Sequence, residues 1–477
     1  MLDLIKNLIE ELNKNNIKYC QWKSNINLDK ALSGFDDLDL LVAWKDISRF
    51  ESTVLALNFK SAFNKNILFP SVEHYFGCDL TTGKIVHLHV YYKIITGPSL
   101  TKSYAFNIED AILNNLEANN LSEMPIPLRY VEFVIYTIRT MTKLSFLCEH
   151  LLLRNSFVKI HQEMSYLYSE LDDEKIESFL QIYFPTLKLE LLKECMSAII
   201  DRKHIRLFHL GKKIRCAIDK HRRISRSKEL EHLLFQIIYR ILNRLFFHRK
   251  KRFNTGGVLI AIVGADATGK TTITNELYKW LSKNFTTHLI HTGKPPSAIL
   301  TFPMNLAIKI IKLVKSKSGQ CCVSENKKVS ALMAVRLMVL AYDRSKLIRR
   351  FWRKAVNGDI VICDRYPSTD IGVMDSRRMQ PKELKGFKKI LAEYEQRCYE
   401  SIPMADVILQ LYVPVEIAVE RNNIRDKAGK ENEEFIRLRH KNNHGLTYKT
   451  KVLYSIDTSG NYDKIIIQLK KLLWQNL

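Results

Sequence analysis

The chain has 477 residues, too many for one ordinary hydrophobic core and enough for two or three. Hydrophobic residues make 46% and charged residues 26%, which excludes a disordered or fibrous polypeptide. Lysine and arginine number 74 against 50 acids, a formal +24, so acidic partners are expected: phosphorylated small molecules, nucleic acid or an anionic membrane surface. Nine scattered cysteines, the nearest being the adjacent Cys321 and Cys322, form no C-x-x-C pair and exclude a disulfide scaffold. The opening residues lack the basic-then-apolar order of an export signal, and no apolar run reaches the roughly 18 residues of a membrane span. A cytoplasmic protein is expected, peripheral to the inner membrane face if it meets a membrane at all.

Leu4, Ile5, Leu8, Ile9 and Leu12 recur at helical spacing, which predicts a helix over 3–15. Strands are expected at 17–22, 38–44 and 85–94. In the last of these, Val86, Leu88 and Val90 alternate with His87, His89 and Tyr91. These elements make a small α+β domain over 1–125. Helical patterns then dominate from 126 to 253, with a long helix over 129–155 and two shorter ones over 174–184 and 189–200.

The end of this helical region is basic. Between Arg202 and Arg252 stand 17 lysines and arginines against only Asp219, Glu229 and Glu231. Such a run is either a solvated linker or a surface that meets phosphates or anionic lipid. Its aromatic residues sit among leucines and isoleucines at helical spacing, which favours core or membrane-facing positions over base stacking. Nucleic acid is the less favoured partner, because no recognition motif is present.

From 254 to 477 strands and helices alternate with short connections, predicting a doubly wound parallel sheet. Strand 258–264 runs into Gly264-Ala265-Asp266-Ala267-Thr268-Gly269-Lys270-Thr271, which matches G-x-x-x-x-G-K-[ST] at every fixed position. The small residues let backbone N–H groups curl around a phosphate, with Gly264, Asp266, Gly269 and Thr272 in the cradle. Lys270 reaches the β- and γ-phosphates, and the Thr271 hydroxyl meets magnesium. ATP and Mg2+ are therefore the expected cofactors. Strand 359–365 delivers Asp364 and Arg365 to its carboxyl end, where open α/β sheets bind ligands. Asp364 suits hydrated magnesium or an acceptor hydroxyl, and Arg365 suits a phosphate.

This loop, the strand-end Asp364-Arg365-Tyr366, Pro403 ahead of ADVILQLYV, and Arg421 with Arg425 after that strand resemble the thymidylate kinase family over about 257–477. The resemblance implies a P-loop kinase that moves the ATP γ-phosphoryl group to a phosphate or hydroxyl acceptor. It implies that Asp364 and Arg365 flank the acceptor and that Arg421 and Arg425 close over the phosphates. It also implies that Ile456-Asp457-Thr458-Ser459 meets adenine. Thymidylate kinases carry an arginine-bearing acidic segment after the second strand and a Tyr-Gln pair that grips thymine. Here His291-Thr292-Gly293-Lys294-Pro295 stands in the first place and no such pair follows Tyr366. The chain looks like the divergent group found with bacterial surface-polysaccharide genes, whose acceptor need not be dTMP; for this chain a nucleotide, sugar or sugar-phosphate acceptor is expected.

At the amino end, Trp22-Lys23-Ser24-Asn25 precedes Asp37-Leu38-Asp39. Two aspartates at i and i+2 of a strand point the same way, and in an apolar strand they call for a cation or hydrogen bonds. The pattern resembles the nucleotidyltransferase fold, in which a G-S turn precedes a D-x-D strand and a third carboxylate completes a two-magnesium site. Lys23 and Ser24 occupy the turn, Asp37 and Asp39 are the implied metal ligands, and His87 and His89 stand where the third acid is expected. The two histidines by themselves are a second candidate metal pair.

The expected architecture is thus an α/β P-loop NTPase sheet preceded by an α+β nucleotidyltransferase-like domain and a helical region. The expected function is an ATP-dependent kinase, a homo-oligomer acting on a phosphorylated small molecule or glycan precursor. Two alternatives stay open: an ATP-operated regulatory or scaffold protein, and a nucleic-acid end-processing enzyme.

Overall fold

The computed structural model describes the whole chain except residues 120–121, 147–156, 169–170, 294, 299–300, 305, 307–329, 425–431 and 443–444. The chain folds into two compact units, Met1–Arg249 and Lys250–Leu477.

In the first unit, helix α1 (Asp3–Lys14) buries Ile5, Leu8, Ile9 and Leu12, the expected stripe. Strands β1 (Tyr19–Gln21), β2 (Leu38–Val42), β3 (Lys60–Phe63), β4 (Val72–Cys78) and β5 (Ile85–Tyr91) lie in the order β1-β2-β5-β4-β3. Only β2 and β5 pair in parallel, with Asp39 opposite His89. Sequence periodicity misses β3 and β4. The run VEHYFGC puts Glu, His and Gly into β4, so no clean alternation survives.

Each face of this sheet carries its own core. On one face Leu38, Leu40, Val42, Val86, Leu88 and Val90 pack with α1, α2 (Leu28–Leu32) and α3 (Ile47–Ala56). On the other, Trp22, Leu41 and Tyr91 share one core with α5 (Arg129–Leu144), α6 (Phe157–Tyr168), α7 (Asp173–Tyr183), α8 (Leu189–Ile200) and α9 (His204–Ala217), while α4 (Glu109–Leu113) joins at its edge. Ribbons β6 (Ile94–Thr96) with β7 (Tyr104–Phe106) and β8 (Leu116–Ala118) with β9 (Pro125–Pro127) connect the two parts. The expected division at 125 therefore joins rather than separates, because the helices cover a sheet face that would otherwise be bare. The expected helix over 129–155 ends at Leu144, and most of its remainder lies outside the described residues.

Part of the basic region also serves this packing. Helix α10 (Arg226–Leu242) buries Glu229 to 3% exposure, where Arg215 and Arg222 reach its carboxylate at 2.7 and 2.8 Å and Ser103 donates at 2.6 Å. Arg223 donates to the Lys102 carbonyl. These arginines are fixed ties and not a solvated charge surface, which corrects the linker reading at those positions. Glu229→Ala would strand two largely buried guanidinium groups, so we expect a loss of about 3 kcal/mol in unfolding free energy. Denaturant melts of both proteins provide the check; a change below about 1 kcal/mol would mean that the network contributes little.

The second unit opens with β10 (Arg252–Phe253) and is built on five parallel strands, β11 (Val258–Gly264), β12 (Thr287–His291), β13 (Ile360–Asp364), β14 (Ala405–Tyr412) and β15 (Thr450–Asp457), in the order β12-β13-β11-β14-β15. Helices α11 (Lys270–Ser282), α12 (Ala331–Val356), α13 (Phe387–Glu400), α14 (Val415–Ile424), α15 (Glu433–Asn442) and α16 (Tyr462–Asn476) complete the described elements. This is the doubly wound α/β sheet that the alternation predicts. Among the described residues no helix is long and apolar enough to cross a membrane.

Candidate active site

The central strand β11 is apolar along its whole length because helices cover both sheet faces. It ends at Gly264, whose φ of 149° and close approach to the Leu411 carbonyl leave no room for a Cβ. Ala267 (φ 65°) and Gly269 (φ 84°) then turn left-handed, and Gly269 caps α11. The result is a curled loop with successive N–H groups at a helix start, the form that cradles phosphate. Lys270 is 8% exposed, with its ammonium folded back onto the Ala265 carbonyl. Burial lowers its pKa to about 8, with Asp266 opposing that shift and Arg365 adding to it. Thr271 and Thr272 remain exposed on the first turn of α11.

Parallel pairing places Ile262 of β11 opposite Asp364 of β13, so the phosphate loop and the Asp364-Arg365 pair share one sheet edge. Asp364 meets His291 Nδ1 at 2.7 Å. Arg365 takes a left-handed conformation (φ 76°) and directs its guanidinium to Asp375 at 3.2 Å and to Asp266 at 3.8 Å. Gly293 packs so closely on the Arg365 stem that a Cβ would fall 2.6 Å from its Cδ. Asp266 also pairs with Arg439 of α15, and together these cations overcome burial and hold its carboxyl below the usual range.

Arg421 donates to the Thr458 carbonyl at 2.7 Å, and the Thr458 hydroxyl donates to the Thr268 carbonyl at 2.8 Å. The loop after β15 is therefore tied to the phosphate loop, while Asp457 accepts from Ser459 N–H. Arg425 lies outside the described residues.

Sequence reasoning passes over Arg344. It is 2% exposed in α12 and donates to the carbonyls of Thr292, Gly293 and Asp375, to the Asp375 carboxylate and to Tyr399. Its signal in the sequence is the Asp343-Arg344 pair directly after the apolar run Leu337–Tyr342, a charge in a place that requires partners. Asp375, Arg439 and His440, whose Nε2 lies 2.9 Å from the Asp266 carbonyl oxygen, were likewise unsignalled.

In the first unit Lys23, Asp39, His87, His89 and Asp37 do share one face. Asp37 precedes β2 and pairs with His87 at 2.8 Å. Asp39 meets the Lys23 ammonium at 2.7 Å and His89 at 3.0 Å. Burial opposes its ionisation, yet Lys23 and His89 hold the carboxyl well below the ordinary range. His89 is itself lowered to about 4, chiefly by burial. His74 of β4, unforeseen in the sequence, lies 3.0 Å from His87. Ser24 turns left-handed at the head of a short 3-10 turn beside this group. Lys23 and Lys102 both reach the Tyr91 hydroxyl, and the Arg139 guanidinium lies 4.7 Å from the Trp22 ring centroid. Among the described residues no group of three or more His, Cys, Asp and Glu side chains is arranged to hold a metal ion.

No protein-family model matches the chain. It is 26% identical over 222 residues, 45% of its length, to an uncharacterized ATP-binding protein of Escherichia coli strain K12, covering 85% of that protein. It is 25% identical over 228 residues to a probable thymidylate kinase of Saccharolobus solfataricus, covering 46% of this chain and 98% of the relative. A thymidylate kinase of Prochlorococcus marinus strain MIT 9312 matches at 27% over 228 residues, 46% and 97% of the two chains. A solved Candida albicans thymidylate kinase aligns over 46% of this chain and 92% of its own at 18% identity, with a TM-score of 0.28. The chain is thus a distant relative of the thymidylate kinases, with the general character of a P-loop phosphotransferase.

Proposed function

We propose that the second unit is an ATP- and magnesium-dependent kinase whose acceptor is a nucleotide, a sugar or a sugar phosphate. The observation that carries this reading is the Arg365 guanidinium, 3.8 Å from Asp266 of the phosphate loop, with Asp364 beside it on the same sheet edge. An arginine at the end of β13, on the acceptor side of the phosphate loop, favours phosphoryl transfer over a nucleotide-operated switch, which needs no acceptor contact.

The residues fit the implied cofactor. A curled loop with left-handed Ala267 and Gly269, a buried lysine turned inward and two exposed threonines offer phosphate donors and a hydroxyl for a hard cation. Magnesium needs only one or two protein oxygens when nucleotide phosphates supply others, which suits Thr271 and Asp364. ATP with magnesium supplies the phosphoryl group and neutralises part of its charge. Lys270 exchanges the Ala265 carbonyl for phosphate oxygens, Asp364 orients the acceptor, and Arg365 and Arg421 stabilise negative charge. The departures from the thymine-gripping pattern turn the reading away from thymidylate and toward precursors of surface glycans.

Asp364→Asn is expected to lower phosphoryl transfer about a hundredfold or more while leaving ATP affinity within a few-fold. The measurement is a panel of nucleoside monophosphates and sugar phosphates with labelled ATP; full activity of the variant on the best acceptor would falsify the assignment.

The face of Lys23, Asp39, Lys102 and Arg139 supports a second reading, a phosphorylated-ligand site in a nucleotidyltransferase-like first unit. Lys23 beside Asp39 stands where a cation is wanted, so ligand binding there should persist in EDTA. Calorimetric titration of a nucleoside triphosphate into the full chain carrying Lys270→Ala, with and without Lys23→Ala, tests this. Loss of the remaining heat with Lys23→Ala is the expected outcome; identical isotherms would remove the reading.

A further inference from the structure

Helix α10 and the following π-helical turn, Asn243–Phe247, have one edge anchored and one edge bare. Glu229 and Leu233 are buried, and Gln236 donates to the Asn66 carbonyl at 2.8 Å. On the other side Leu230, Leu234, Ile238, Ile241 and Leu245 follow one another at spacings of three and four, so they form a single stripe. Leu234 is 53%, Ile238 57%, Ile241 53% and Leu245 62% exposed, and Phe246 beyond them reaches 69%. Scattered exposed leucines are unremarkable, but a continuous helical stripe with an aromatic end marks an interaction surface.

Charge and shape decide the occupant. Arg226, Lys228, Arg240, Arg244 and Arg249 flank the stripe, with Glu231 the only acid in Arg226–Arg249 besides the buried Glu229. Like-charged flanks would repel one another across a self-dimer, whereas anionic headgroups meet them favourably. The stripe from Leu230 to Leu245 also runs about 22 Å along one outer helix face, a length and shape that suit a plane. We propose that α10 and its π-helical turn form an interfacial anchor: the apolar stripe enters the headgroup–acyl boundary of an anionic bilayer, and the flanking cations sit at the phosphates.

The test is flotation of the full chain with vesicles of phosphatidylcholine alone or with roughly 30 mol% phosphatidylglycerol, at low and high salt. Binding to the anionic vesicles and its weakening by salt are expected. Ile238→Glu/Ile241→Glu, at two exposed positions, should lower the partition coefficient about a hundredfold while ATP turnover stays at the wild-type level. Ile238→Trp adds an independent reading: new fluorescence that shifts to the blue and is quenched by lipids brominated near the headgroup. Equal partitioning of wild type and the double glutamate variant overturns the proposal. So does a dimer, seen by light scattering, that the same variant dissociates while neither protein floats with vesicles.

Discussion

Lys270→Ala is expected to leave a folded protein with ATP turnover reduced about a hundredfold or more, because one preorganised donor to a developing phosphoryl charge contributes roughly 3 kcal/mol in a water-poor site. The fold should survive. Lys270 donates to the Ala265 carbonyl, and its removal frees an acceptor that the Thr268 hydroxyl already contacts at 2.9 Å. Truncation also removes a buried ammonium that burial already disfavours, so the thermal midpoint should move by only a few degrees. The separation is the informative part: calorimetric melts close to wild type alongside lost turnover, measured with saturating acceptor, identify a phosphate contact. Wild-type turnover would mean that the loop binds nucleotide without using this lysine in transfer. A collapsed melt would assign Lys270 to structure instead.

The phosphate loop was legible because its geometry is local. The eight residues Gly264–Thr271, Thr272 after them and the strand that leads in specify the left-handed turns, the buried lysine and the exposed threonines. Asp364 and Arg365 were legible for a related reason: strand ends in a doubly wound sheet converge on one edge whatever else the chain does. Alternation along β5 likewise put His87 and His89 on the face of Asp39, and the structure keeps them there. Other features depend on partners far away in sequence. Nothing near Asp39 announces that Lys23 reaches it across the β1–β2 pairing. Nothing near Glu229 announces Arg215, Arg222 and Ser103, so a charge run that looks solvated is partly a buried network. The boundary expected at 125 failed similarly, since composition changes there but the sheet still needs the helices that follow to cover its second face. Helix α10 shows the converse. Its apolar spacing fitted a core or a membrane-facing position equally well, and only three-dimensional exposure separates an anchored edge from a bare one.

Arg344→Met is expected to damage the acceptor side of the site more than any change at a residue facing solvent. Five donor contacts converge from this one guanidinium on the Thr292, Gly293 and Asp375 carbonyls, the Asp375 carboxylate and the Tyr399 hydroxyl. Methionine keeps much of the volume but satisfies none of them, leaving buried acceptors unpaired and Asp375 with Arg365 as its remaining arginine partner. The expected cost is about 3–5 kcal/mol, the range for removing one member of a buried charged network. The functional consequence follows from the same contacts. Thr292 and Gly293 border the Arg365 stem, and the Thr292 hydroxyl donates to the Arg365 carbonyl at 2.8 Å, so loosening them lets Arg365 leave its orientation toward Asp266. Arg344→Lys discriminates stability from positioning, because an ammonium keeps the charge near Asp375 but cannot span the divergent carbonyls. We expect Arg344→Lys to recover much of the stability while the KM for acceptor stays raised and the KM for ATP stays near wild type. A lysine variant that restored both would reduce Arg344 to a counter-charge for Asp375, and one that raised the KM for ATP as strongly as that for acceptor would move its influence to the nucleotide side.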